Sequence, residues 1–178
     1  GEQGDHLEQM VLDDVAQRLN DIHQDGRTRT GMGLQPGLIG LLNPYTNEAF
    51  FADFVVLVEG EEDKALMEAA LSGLLTSPTM QQRAIVVVPA GGKKNLDKMH
   101  SIVTALGIPS YLVFDQDGES GEDLSQVEHW NVALQRMLGV EAPQGMPPTT
   151  VSATHAILSP NLTRVVKGEI GDEAWNEV

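Results

Sequence analysis

Two groups of carboxylates, each placed where an apolar run stops, are the residues of this chain best suited to chemistry: Val55-Val56-Leu57-Val58-Glu59-Gly60-Glu61-Glu62-Asp63 and Tyr111-Leu112-Val113-Phe114-Asp115-Gln116-Asp117-Gly118-Glu119. Converging carboxylate oxygens suit a hard divalent cation such as Mg2+ or Mn2+. Two such ions about 3.5–4 Å apart are the apparatus of metal-assisted phosphodiester hydrolysis. Glu59 and Asp63 are four apart, so a helix starting after Gly60 turns both towards one point across its opening turn. Asp115 and Asp117 are two apart and, on an extended segment, leave the strand end in the same direction. Glu119 extends the second group to Asp-x-Asp-x-Glu, whereas Glu122 and Asp123 read as first-turn residues of the next helix, favoured there by its dipole. Either group alone is also what solvated loop acids after a strand look like; their pairing favours a metal site.

The elements that must position these acids follow from hydrophobic patterning. From Phe54 the chain alternates: strand 54–58, helix 61–74, strand 84–88, helix 95–106, strand 110–114, helix 122–138 and a short strand near 153–158. That alternation predicts an α/β fold, a mainly parallel sheet of about four strands with crossover helices on both faces. Acids at the carboxyl ends of its strands occupy the edge where open α/β folds bind ligands. Upstream, Leu7, Met10, Val11, Val15, Leu19 and Ile22 fall at helical spacing, predicting an amphipathic helix over about 5–24. The stretch 24–47, with five glycines, two prolines and the basic Arg27-Thr28-Arg29, reads as a connector. The expected organisation is therefore a helix and connector over 1–47 and an α/β domain over 48–178, with a tail from Glu169 too short for another domain.

Composition narrows the function. A length of 178 residues with 41% hydrophobic content suffices for one core. There is no run of eighteen apolar residues and no secretory leader, so no membrane partner is expected and the expected location is cytoplasmic. The absence of cysteine excludes disulfides, a thiol nucleophile and cysteine-ligated zinc or iron–sulfur centres. A net charge of −15, from 11 basic and 26 acidic residues, opposes tight independent grip on nucleic acid, which draws its affinity from Lys and Arg on phosphates. The five histidines show no paired spacing, and His155, on a predicted strand, reads as packed or exposed rather than as a ligand. The loop Ala90-Gly91-Gly92-Lys93-Lys94-Asn95 has the small residues and lysines of a phosphate contact. It is not a Walker A loop, because Lys94 stands where Ser or Thr belongs and the upstream glycine is missing.

The segments 48–63, 88–95 and 106–117 together resemble a TOPRIM domain, and most closely the C-terminal nuclease region of the OLD (overcoming lysogenization defect) family of ATP-dependent endonucleases. The resemblance runs from about Glu48 to about Ile170. It implies that Glu59 matches the glutamate after the first strand, that Asp115 and Asp117 match the paired aspartates, and that Asp63, usually glutamate in the family, is a further ligand. It also implies that Ser159 to Glu169 corresponds to a segment where another acid joins the site. This chain has Leu162-Thr163 where relatives carry Leu-Glu, so Glu169 is the nearest candidate, with Lys167 as a cation for the transition state. The implied activity is two-metal DNA endonuclease cleavage using Mg2+ or Mn2+, with Glu59, Asp63, Asp115, Asp117 and Lys167 catalytic and Glu119 and Glu169 as additional metal ligands. The implied partners are DNA, an ATPase domain absent from this chain, and a second copy docked through the leading helix; that helix equally fits a role covering one face of the sheet.

Three rivals share part of the pattern. A haloacid-dehalogenase phosphatase would use Asp-x-Asp-Gly, but needs a hydroxyl residue at Glu119 and a longer region after it. An EF-hand loop from Asp115 fails at Ser120 and Gln126. A receiver-type aspartate phosphotransfer domain explains Asp115 but leaves Glu59 and Asp63 unexplained. A fourth reading, from a different class, is a TOPRIM-like scaffold whose metal serves interaction and dimerisation without catalysis.

Overall fold

A computed structural model describes residues 2–41, 44–74, 83–118 and 123–175, with side chains left out of the description at 2–11, 44, 45, 74, 173 and 174. Its centre is a five-stranded sheet: β1 (Phe54–Val58), β2 (Ile85–Pro89), β3 (Ser110–Asp115), β4 (Thr150–Val151) and β5 (His155–Leu158), in the order β2-β1-β3-β5-β4. The first four positions are parallel, and β4 is an antiparallel edge. The fifth strand exceeds the four expected because two exposed residues, Thr150 and Val151, are too few to show an alternation in sequence.

Alternate residues of β1 feed two cores. Val55 and Leu57 join Val88, Leu112, Phe114 and Ile157 on one face, while Val56 and Val58 join Val87, Val113, Ala156 and Leu158 on the other. The first face is covered by α1 (Glu2–His23), α2 (Gly31–Leu41), α5 (Lys93–Ala105) and α6 (Leu124–Met137); the second by α4 (Glu61–Leu74) and α7 (Leu162–Trp175). The short α3 (Pro44–Asn47) and a 3-10 turn over Glu48–Phe51 lead into β1. Strands buried on both faces explain their continuous apolar runs.

The leading helix covers the sheet's first face: Val15, Leu19 and Ile22 are buried in the same cluster as Leu57 and Phe114. The expected connector over 24–47 is corrected, because most of it is helical. Thr30 caps α2 through its side chain to the Gly33 N–H at 3.2 Å, and Leu38 and Leu41 bury against α1 and α5. Gly31 comes so close to Asp13 and the Leu12 backbone that a Cβ would lie 2.4 Å from Asp13 Oδ1. Tertiary burial thus overrides Pro36 and three further glycines inside α2. The tail from Glu169, read as too short for another domain, continues α7 as far as Trp175, with a kink at Gly171, where φ is 83°.

Candidate metal centre

The register sets the site. Leu57 pairs with Leu112, so Glu59, just past β1, arrives level with the end of β3. Its Oε1 accepts a 2.9 Å hydrogen bond from the Asp115 N–H. Asp115 in turn accepts a 2.8 Å bond at Oδ1 from the Leu162 N–H, the first residue of α7. A helix N-terminus favours an anion there, and Asn161 caps that helix through its side chain to the Arg164 N–H at 2.9 Å. The segment that resembles the family's late acid position therefore joins the site by a backbone donor of Leu162. On the opposite side, Asp63 Oδ2 accepts from the Gly60 N–H at 2.9 Å, half of a capping box at the start of α4.

Asp117 is held by different means. Its φ of 58° is uncommon for a residue other than glycine, and two contacts fix it there. The Asp117 N–H donates to the Pro160 carbonyl at 3.0 Å, and Lys93 Nζ donates to Asp117 Oδ2 at 2.9 Å. The same ammonium donates to the Asp115 carbonyl and lies 5.6 Å from the centroid of the Phe114 ring. Asn131 clamps the intervening residue, donating to the Gln116 carbonyl at 2.8 Å. The Ala90–Asn95 loop brings Lys93 in: the Ala90 and Gly92 N–H groups bond to the carbonyls of Val58 and Glu59 at 2.9 and 2.7 Å. Gly91 and Gly92 take φ of 75° and 112°, conformations that need glycine.

Electrostatics mark the cluster as short of positive charge. Burial pushes the Glu59 carboxyl up to about 8, opposed by Lys93 and the Asp115 N–H and reinforced by Asp117 and Asp115. Burial raises Asp115 to about 7 against the Leu162 N–H, with Asp63 and Asp117 adding repulsion. Asp63 is also raised, by burial and then by Glu62 and Asp117 against the Gly60 N–H. Carboxyls raised by burial and mutual repulsion, each with an oxygen that makes no hydrogen bond among the described residues, fit a site completed by cations.

The structure thus brings together Glu59, Asp63, Asp115 and Asp117. Glu119 lies outside the described residues. Lys167 and Glu169 are not brought in: Lys167, exposed on α7, pairs with Asp172 at 3.0 Å, and Glu169 is exposed without a hydrogen bond or ion pair to the four acids. The cation at the site is Lys93, which the sequence places in a glycine loop that reads as a phosphate contact; its side chain turns inward because unpaired carbonyls and Asp117 await it. His155 is buried on β5, its Nδ1 within 3.0 Å of Ser152 Oγ, as expected of a packed residue.

Acids at the carboxyl ends of two adjacent central strands, β1 and β3, on a mainly parallel sheet are consistent with an α/β fold of TOPRIM type. More particularly, residues 50–117 match the family described as Overcoming lysogenization defect protein-like, TOPRIM domain. The match includes all four acids and Lys93 and bears out the resemblance over residues 50–117. Such a domain is of metal-binding, nuclease- or primase-type character. No curated protein matches the chain. Among the described residues no helix is long and apolar enough to cross a membrane.

Proposed function

We propose that this chain is the nuclease part of a larger ATPase–nuclease, a divalent-metal-dependent DNA endonuclease. The observation that carries the reading is the four-carboxylate cluster, with Glu59 and Asp115 raised by burial, inside the segment that matches the OLD-like TOPRIM family. Glu59, Asp63, Asp115 and Asp117 would hold two ions, Mg2+ or Mn2+, which supply water activation and stabilisation of the leaving oxygen. Glu59 and Asp115 each keep one oxygen fixed by a backbone N–H and present the other to the site. Asp63 does the same from the first turn of α4. Lys93 holds Asp117 at its left-handed backbone geometry and offsets one negative charge. Because Glu59 and Asp115 bind protons near neutrality, filling the site releases protons, and activity rises with pH through about 7 to 8.

DNA is the proposed substrate, gripped mainly by the ATPase partner region, since −15 net charge disfavours independent binding. The proposed location is the cytoplasm, and a second copy docking through α1 is a proposed mode of assembly. One observation favours the scaffold reading instead: Lys93 is spent on Asp117 and backbone carbonyls and Lys167 on Asp172, so neither is free to neutralise a transition state. Incubation with supercoiled plasmid and Mg2+ or Mn2+ separates the two. Divalent-dependent nicking supports the endonuclease; intact plasmid at high protein concentration, with metal demonstrably bound, supports the scaffold.

A further inference from the structure

A second cluster lies on the sheet's first face, where the end of α1 meets α5 and α6. His23 is buried, and its Nε2 lies 2.8 Å from Oδ2 of the equally buried Asp97. A carboxylate only accepts, so Nε2 carries the proton and Nδ1 keeps its lone pair. Nδ1 points at His129 Nε2, 3.1 Å away. The rings stack at 5.2 Å between centroids, with Trp130 edge-on to both. An Asp25 carboxylate oxygen completes a group whose ligand atoms all lie within 4.8 Å of one another. These groups open on a cavity of about 600 Å³.

Two imidazole nitrogens about 3.1 Å apart are spaced as ligands of one tetrahedral ion, for which metal–nitrogen distances of about 2.0–2.1 Å are usual. A histidine ligand characteristically donates its other N–H to a carboxylate, the role Asp97 already plays for His23. The geometry points to a Zn2+-class site formed by His23 Nδ1, His129 Nε2 and Asp25, oriented by Asp97, that ties α1 to α6. Asp25 also accepts from Arg29 at 2.8 and 3.1 Å and from the Arg27 N–H at 3.1 Å. Oδ1 takes two of these bonds and Oδ2 one, which leaves Oδ2 a lone pair for the ion, with Arg29 holding the carboxylate in place. Nitrogen ligands separate this site from the all-oxygen centre, which takes hard ions.

Zn2+ and Co2+ titrations of the full chain test this, with Glu59→Gln and Asp115→Asn together silencing the acid centre. Expected are one ion per chain by calorimetry, Co2+ visible bands of tetrahedral intensity, and a melting temperature raised by Zn2+ but not by Mg2+. His129→Gln, on the more exposed partner, should weaken Zn2+ at least tenfold with the metal-free fold unchanged by circular dichroism. Asp97→Asn should weaken it about 10–100-fold. No stoichiometric binding, or binding indifferent to His129→Gln, overturns the site and leaves a plain Asp97–His23–His129 hydrogen-bonded chain.

Discussion

The acid centre and the histidine pocket are built by opposite routes. The acid centre uses short sequence stretches: Glu59 and Asp63 straddle one strand-to-helix turn, and Asp115 and Asp117 follow one strand, so the β1–β3 pairing suffices to bring the four acids together. The pocket joins His23 directly to His129, 106 positions apart, with Asp97 on a third helix holding the other ring nitrogen of His23. The acid centre collects negative charge that Lys93 alone does not balance. In the pocket each carboxylate already has a donor, Asp97 from the His23 ring and Asp25 from Arg29. A site that is strained until filled suits chemistry with exchangeable ions; a site already satisfied suits a role that holds elements together.

The largest expected effect falls on activity at the acid centre. Asp115→Asn or Glu59→Gln should cut divalent-dependent plasmid nicking by about 10²-fold or more, since each removes a charged ligand, with an unchanged circular dichroism spectrum. Nicking within a few-fold of the parent would remove these acids from the chemistry.

Next comes Lys93→Met, which leaves Asp117 and the Asp115 carbonyl without their ammonium donor and should destabilise the fold by about 1–3 kcal/mol at pH 8. Urea denaturation checks this, and Lys93→Arg should restore part of the loss. Equal stability would mean that Asp117 is held by its backbone alone.

The third expectation concerns pH. Glu59 and Asp115 have folded values of about 8 and 7, above their ordinary 4.5 and 3.8. The unfolded chain therefore releases these protons first. The contribution of these two groups to metal-free stability is fully present below about pH 4 and is lost as pH rises through about 7 to 8. Glu59→Gln should flatten that decline and raise metal-free stability at pH 8 by on the order of 2 kcal/mol, read as a melting temperature several degrees higher. Saturating Mg2+ should erase most of the difference. A metal-free melting temperature that climbs from pH 5 to 8 would contradict the crowded-carboxylate account.

A smaller, several-fold preference for Mn2+ over Mg2+ is expected in nicking rate. Asp63 is a methylene shorter than the glutamate usual in the family, and Mg2+ tolerates imperfect octahedra poorly. Asp63→Glu should narrow the ratio; an unchanged ratio would show that Asp63 does not set the geometry. Smallest of all, Lys167→Ala should alter stability by less than about 0.5 kcal/mol, as for an exposed ion pair, and nicking by less than twofold. A hundredfold loss of nicking would return Lys167 to the mechanism.

By itself the sequence determined what short-range physics controls. Apolar runs ended by acids specify β1, β3 and the four carboxylates, and Leu/Val/Ile spacing specifies α1 and α4, because side-chain period and strand termination are properties of a few consecutive residues. Tertiary structure decided the rest. Gly31 to Leu41 became helical because Leu38 and Leu41 found a core that outweighs local propensity. Lys93 rather than Lys167 became the centre's cation because the glycine loop docks on Val58 and Glu59. The histidines that looked unpaired meet only because α1, α5 and α6 pack on one face of the sheet. Contacts between residues a hundred positions apart leave no trace in local spacing, since their geometry is set by the packing of whole elements.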